Sequence, residues 1–244
     1  MENYIEILGV RIDKVDMEGA FSKVCDFLKG DKPETVFTPN SEIIYMARND
    51  EEFKNILNSS SLNTADGIGV VYASKILKNP ISERVPGYDL AVKLLPYLNE
   101  NKLKLYLFGG RAGVAEKARY NILCDYPDIN ICGTQNGYFN SSEEIIEKIN
   151  KENPDVVFVC LGAPKQEKWI YENKDKINCK VLMGIGGSLD VFAREAKRAP
   201  KIFIKLNIEW LYRLIKNPSR IGRMMALPKF GFAVLKERGG RKNA

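Results

Sequence analysis

The sequence predicts an α/β fold with a Rossmann-like, mainly parallel sheet flanked by helices, followed by a small basic helical C-terminal appendage. Three observations carry this. Short β-branched runs alternate with helical patterns through residue 193, as in repeated βαβ units. The run Val156-Val157-Phe158-Val159-Cys160-Leu161 is apolar throughout, as a strand covered on both faces should be. Charge also divides sharply. Residues 194–244 hold 14 Lys and Arg against three Asp and Glu, a net of +11, whereas residues 1–193 carry −5 of the total +6. That asymmetry suggests a specialised tail with a polyanionic partner.

In chain order, strands are expected over Ile5–Val10, Thr35–Thr38, Leu62–Ala65, Lys104–Phe108, Asn130–Thr134, Asp155–Leu161 and Lys180–Ile185. Helices are expected near Asp16–Leu28, Ser41–Ala47, Gly69–Leu77, Asp89–Asn99, Val114–Tyr126, Glu143–Asn150, Lys165–Asn173 and Leu189–Ala193. Ser141-Ser142-Glu143-Glu144 reads as a capped helix start with acidic groups in its first turn. Beyond Pro200, Ile202, Leu206, Trp210 and Leu214 recur every fourth residue, an apolar helical stripe. Asn217-Pro218-Ser219 should break that helix, and Gly239-Gly240-Arg241-Lys242 reads as a frayed end. The reading gives an α/β core over 1–195, the part in which any catalytic site is expected, and a basic amphipathic appendage over 196–244.

Composition excludes several classes. At 244 residues, 45% hydrophobic and 28% charged, the chain fits a globular protein with one substantial core. No run approaches the roughly 18 apolar residues of a membrane span, and Met1-Glu2-Asn3-Tyr4 does not open a signal peptide. The expected location is therefore the cytoplasm. The cysteines, at 25, 124, 132, 160 and 179, form no Cys-x-x-Cys pair, against a disulfide framework or zinc knuckle. Histidine is absent. That rules out Ser-His-Asp and Cys-His chemistry and histidine metal sites, leaving acid–base work to Asp, Glu, Lys, Tyr or Cys.

Five segments fall where strands give way to loops, the edge at which parallel sheets bind ligands. They are Thr38-Pro39-Asn40, Thr64-Ala65-Asp66-Gly67, Phe108-Gly109-Gly110, Leu161 to Glu167 and Gly184 to Asp190. Gly109 and Gly110, or Gly186 and Gly187, could turn backbone N–H groups toward a phosphate, or could be simple tight turns. Asp66 is the sharpest candidate. As a turn or cap residue it would be unremarked, but without histidine a hydroxyl-deprotonating enzyme needs a carboxylate. Arg84, in Ser-Glu-Arg-Val-Pro-Gly, is either a solvated arginine or a clamp on phosphate or sugar. Gln166 could merely start a helix. No Asp-x-Asp pair occurs, which favours metal-free chemistry in which arginines and helix N-termini stabilise a leaving group.

Thr38-Pro39-Asn40, Ala65-Asp66-Gly67, Arg84-Val85-Pro86-Gly87, Phe108-Gly109-Gly110, Gly162 to Glu167, Gly184 to Gly187 and Arg198-Ala199-Pro200, in this order, resemble the WecG/TagA/CpsF family of bacterial glycosyltransferases. The resemblance covers nearly the whole chain. It implies inverting transfer of N-acetylmannosamine from UDP-N-acetylmannosamine to undecaprenyl-diphosphate-linked N-acetylglucosamine, the linkage unit of wall teichoic acid. Family members with other UDP-sugars, such as the uronic acid or glucose types, are the alternative. It further implies Asp66 as general base, Thr38 as a substrate-binding threonine, and Asn40, Arg84 and Gln166 as pocket positions. Arg213, Arg220 and Arg223 match C-terminal arginines that approach the donor diphosphate. Tyr138 is assigned to base stacking, with a surface aromatic as the other reading, and Asp190 to the ribose. No cofactor or metal is expected. The tail should dock on the inner face of an anionic plasma membrane, and its apolar face could also meet a second copy, giving a homo-oligomer. A nucleic-acid-binding role for the tail is the rival from another class, without any recognised binding motif to accompany the charge. A Rossmann-type oxidoreductase is weakened because Leu189 stands where the third fingerprint glycine belongs.

Overall fold

A computed structural model describes residues 3–205, 209–216, 222 and 225–242. Its centre is a six-stranded, wholly parallel sheet in the order β4-β3-β8-β7-β5-β6. These strands are β3 (Glu34–Phe37), β4 (Leu62–Asn63), β5 (Lys104–Gly109), β6 (Asn130–Gln135), β7 (Val156–Cys160) and β8 (Val181–Gly184). Alternation along the central strand explains the all-apolar run. Val156, Phe158 and Cys160 join one core, with Val24, Leu94 and Ile122, while Val157 and Val159 join the other, with Ile44, Ile146 and Trp169. Successive side chains on a strand point to opposite faces, so a strand between two helical layers must be apolar at every position.

The helices divide accordingly. One layer holds α1 (Met17–Phe27), α5 (Gly87–Glu100), α6 (Val114–Asp125) and the short α9 (Ser188–Phe192). The other holds α2 (Ser41–Arg48), α3 (Glu51–Asn58), α4 (Ile68–Ile76), α7 (Ser142–Glu152) and α8 (Lys165–Asn173). Ser141 caps α7, its Oγ accepting the Glu144 N–H at 3.4 Å, as its sequence predicts.

Four differences from the sequence reading stand out. The single strand expected over Ile5–Val10 is an antiparallel hairpin, β1 (Tyr4–Ile7) and β2 (Val10–Asp13), turning at Leu8 and Gly9 with φ of 52° and 81°. Positive φ at both central residues suits the twist of a two-residue hairpin. Asp13 of this hairpin accepts the Asn63 N–H at 2.8 Å and so covers the β4 edge. Second, α3 was not expected at all. Third, the tail stripe lies on two helices, α10 (Lys201–Lys205) and α11 (Glu209–Lys216), and not on one. Ile202 and Trp210 are exposed, Leu214 is half-buried, and Leu206 lies outside the described residues.

Fourth, the segment read as a frayed end belongs to a helix, α12 (Ala226–Lys242). Phe230, Ala233 and Val234 are buried, and Phe230 and Val234 join the core that contains α2 and α4. The Glu237 carboxylate accepts the Leu8 N–H at 3.1 Å. Tertiary burial thus sustains helix through glycines that propensity alone would disfavour.

Candidate active site

The carboxyl ends of β3, β4, β7 and β8 open into a cleft of about 680 Å³. Of the residues singled out in the sequence, Thr38, Asn40, Asp66, Gln166, Gly186, Gly187 and Asp190 line it. Thr38 and Asn40 follow β3. The Thr38 hydroxyl donates to the Gly184 carbonyl at 3.2 Å, tying β3 to β8. Asn40 is the N-cap of α2, its Oδ1 accepting the Glu42 and Ile43 N–H groups at 3.0 and 3.1 Å, which leaves its amide NH₂ for other work. The N-terminus of α5 presses on the same spot. A Cβ at Gly87 would stand 2.8 Å from Thr38 Oγ1, so the close approach requires glycine.

Asp66 follows β4. Its N–H donates to the Pro39 carbonyl at 3.2 Å, which locks the Asp66 and Thr38–Asn40 segments together. Gly67 then turns the chain into α4 with φ of 112°. Asp66 is half-buried, lies just before α4, and is tied by its backbone to the segment that leads into α2. Helix N-termini favour negative charge.

Gln166 is the most constrained member. It is 3% exposed, yet it reaches the cleft. Its Oε1 accepts the Gly186 N–H at 2.9 Å and its Nε2 donates to Glu167 Oε1 at 2.8 Å. Glu167 is itself 1% exposed, and among the described residues its Oε2 has no hydrogen-bond partner. Burial raises its pKa, opposed in part by the Gln166 hydrogen bond. Asp190 also has a raised pKa, first from burial, with Arg111 lowering it and Glu195 raising it.

Other candidates fall elsewhere. Gly109 and Gly110 do not line the cleft; Gly109 is there for packing. It has φ of 131°, and a Cβ on it would lie 2.3 Å from the Cys160 carbonyl oxygen. The helix after this pair, α6, begins at Val114. Tyr138 is 72% exposed and outside the cleft lining, matching the surface-aromatic reading. Arg84 lines a smaller pocket of about 440 Å³ that shares Pro86 with the cleft, and its guanidinium stands 3.6 Å from the Glu209 carboxylate. Arg220 and Arg223, and the side chain of Arg213, lie outside the described residues.

The cleft also gathers residues that sequence reasoning missed. Arg111, Lys197 and Arg198 bring positive charge to it. Arg111 pairs with Glu195 at 2.9 Å. Arg198 pairs with Asp89 and lies over the Tyr88 ring, 5.0 Å from its centroid. Arg198 stood in a quoted motif, but nothing local marked it as a lining residue. Glu42, Ile43 and Met46 line the α2 side. Their spacing along one helix face was the available signal. Among the described residues, no group of three or more Cys, Asp or Glu is placed to hold a metal ion, and no helix is long and apolar enough to cross a membrane.

The cleft thus combines a carboxylate, amide and hydroxyl groups and cations at the carboxyl edge of a parallel sheet, a setting for displacing an anionic leaving group. Comparison with known proteins agrees. The glycosyl transferase WecG/TagA/CpsF family matches residues 5–244. Over 207 residues, 85% of this chain and 81% of the relative, the chain is 40% identical to the N-acetylglucosaminyldiphosphoundecaprenol N-acetyl-beta-D-mannosaminyltransferase of Bacillus subtilis (strain 168). It is 37% identical to the protein of the same name from Staphylococcus aureus (strain MRSA252) over 243 residues, 98% of this chain and 95% of that one. With a matching family model from residue 5 to the last residue and relatives similar over 81% and 95% of their own length, the chain belongs to the WecG/TagA/CpsF family of glycosyl transferases.

Proposed function

We propose that this glycosyltransferase moves N-acetylmannosamine from UDP-N-acetylmannosamine to undecaprenyl-diphosphate-linked N-acetylglucosamine, with inversion at the anomeric carbon and Asp66 as the general base. The observation that carries the reading is the seating of Asp66 beside Thr38, Asn40 and Gln166 in one cleft, in a chain so similar to transferases named for that reaction. Asp66 takes the proton of the acceptor hydroxyl as its oxygen bonds to the sugar's anomeric carbon. The bond from that carbon to the diphosphate breaks on the opposite face, and UDP departs. Asn40 and Gln166, fixed by their own hydrogen bonds, orient the sugar.

The departing diphosphate needs positive charge. Arg111, Lys197 and Arg198 line the cleft, and Arg213, Arg220 and Arg223 of the 196–244 appendage are proposed to join them. We propose that this charge replaces a metal ion. The membrane role of the appendage is supported by one face of α12. Phe232 and Leu235 are 74% and 52% exposed, and Lys229 and Lys236 are exposed beside them. An apolar stripe flanked by lysines suits the headgroup boundary of an anionic bilayer, where a polyprenyl acceptor resides. The enzyme would act at the cytoplasmic face.

The test is UDP release from a panel of UDP-sugars mixed with the lipid-diphosphate-linked acceptor. Release with UDP-N-acetylmannosamine well above the uronic acid and glucose-type donors supports the reading; selective turnover of another donor would replace the substrate while leaving the reaction class.

A further inference from the structure

The sequence left Arg84 as either a solvated arginine or a clamp on phosphate or sugar; in the structure its guanidinium stands 3.6 Å from the Glu209 carboxylate. We infer that Arg84 is a positioning residue: its ion pair with Glu209 docks α11 over the cleft that holds Asp66, and Arg84 serves transfer through that contact. This rests on the transferase reading for its activity arm only.

Arg84 stands on a rigid post. Its neighbour Val85 is fully buried, donates its N–H to the Ala65 carbonyl at 2.8 Å and accepts the Thr64 hydroxyl at 2.9 Å. The Arg84 backbone is thus bolted to the segment that immediately precedes Asp66. The nearby acidic groups are already committed. Glu83 accepts the Met17 N–H at 2.8 Å, and Asp89 pairs with Arg198. Glu209 is the first residue of α11 and lines the cleft together with Thr38, Asn40 and Asp66. The Arg84 and Glu209 side chains are only 17% and 14% exposed, so the pair is screened far less than a surface ion pair.

The chain around α11 shows what this pair adds. Residues 198–200 are pinned, with Arg198 on Asp89 and Tyr88, and Ala199 buried. Beyond them α10 and α11 hold each other through Phe203 and Tyr212, ring centroids 5.4 Å apart. The Arg84–Glu209 ion pair ties the start of α11 to the loop that precedes α5.

The experiment is a charge swap in the full chain, read first by hydrogen exchange of the amides in 209–216 without substrate, then by steady-state transfer. Arg84→Glu and Glu209→Arg should each speed exchange there by about tenfold or more and lower kcat/KM. Glu209→Gln, which keeps the shape and loses the charge, should fall between. The double swap should restore protection to within about threefold of the parent and recover most of the transfer lost. Unchanged exchange in the single variants would overturn the docking role. Restored protection without recovery of transfer would overturn action through Glu209, because Arg84 would then be meeting substrate directly. An error in the assigned donor would leave the exchange result untouched.

Discussion

The last helix carries two opposed faces, and they should separate stability from membrane affinity. Phe230 is 3% exposed and Val234 fully buried, both within the core beneath α2 and α4, whereas Phe232 is 74% exposed and Leu235 52%. Phe230→Ala removes a packed ring from that core, a loss of about 3–5 kcal/mol. In a chain of this size each kcal/mol moves the midpoint by about 2–4 °C, so melting should fall by about 6–20 °C. Phe232→Ser with Leu235→Ser removes side chains that meet solvent, with an expected change within about 0.5 kcal/mol per site. The same pair should lower binding to anionic vesicles severalfold or more, since its apolar area is what would enter the headgroup boundary. Thermal melts and vesicle co-sedimentation read both effects. A Phe230→Ala variant that melts like the parent would refute the core assignment of α12. Undiminished vesicle binding by the double serine variant would refute the outward stripe as the docking face. The packing also means that deleting everything after Arg194 strips part of the core, so loss of activity on truncation reports stability as well as docking.

Glu167 gives a pH signature. Burial raises its folded pKa, so the protonated form is favoured in the fold; its contribution is fully present below the ordinary carboxyl range and is lost as pH rises through the folded value. Glu167→Gln keeps an acceptor for Gln166 and removes the titration, so the stability of the parent relative to this variant should decline with rising pH, and a gap that stays flat across the acid-to-neutral range in denaturant titrations would contradict it. Gly109→Ala should destabilise by at least about 2 kcal/mol in the same titrations, because its φ and the 2.3 Å approach to Cys160 admit no side chain; a neutral result would contradict the packing role.

Much of this was legible in the chain because parallel strands write both faces of the sheet into one apolar run. Strand ends then give the segments that follow them: the loops hold Thr38, Asn40 and Asp66, and the first turns of α8 and α9 hold Gln166 and Asp190. The β1–β2 hairpin was missed because Leu8-Gly9 lacks the usual Asn-Gly or Asp-Gly turn signal, and Val10 reads as a continuation of the strand. In α3, the charged and amide residues Glu51, Glu52, Lys54, Asn55 and Asn58 masked a short stripe of Phe53, Ile56 and Leu57. The Asp50 cap, accepting the Phe53 N–H at 2.9 Å, was the signal that could have found it. Pro228, Gly231, Gly239 and Gly240 hid α12, whose helix depends on the burial of Phe230 and Val234. The Arg84–Glu209 ion pair could not be read from the Arg84 loop. Glu209 lies 125 residues further along the chain, and no local pattern announces a contact made only by the fold.

The central claim is that Asp66 takes the acceptor proton. The most direct measurement is UDP release by Asp66→Asn, with UDP-N-acetylmannosamine and the lipid-linked acceptor, alongside its affinity for UDP. Removing a general base costs about 10²–10⁴ in rate, so kcat should fall by at least about two orders of magnitude while UDP binding stays near that of the parent. Turnover within a few-fold of the parent would show that another group takes the proton and would contradict the account.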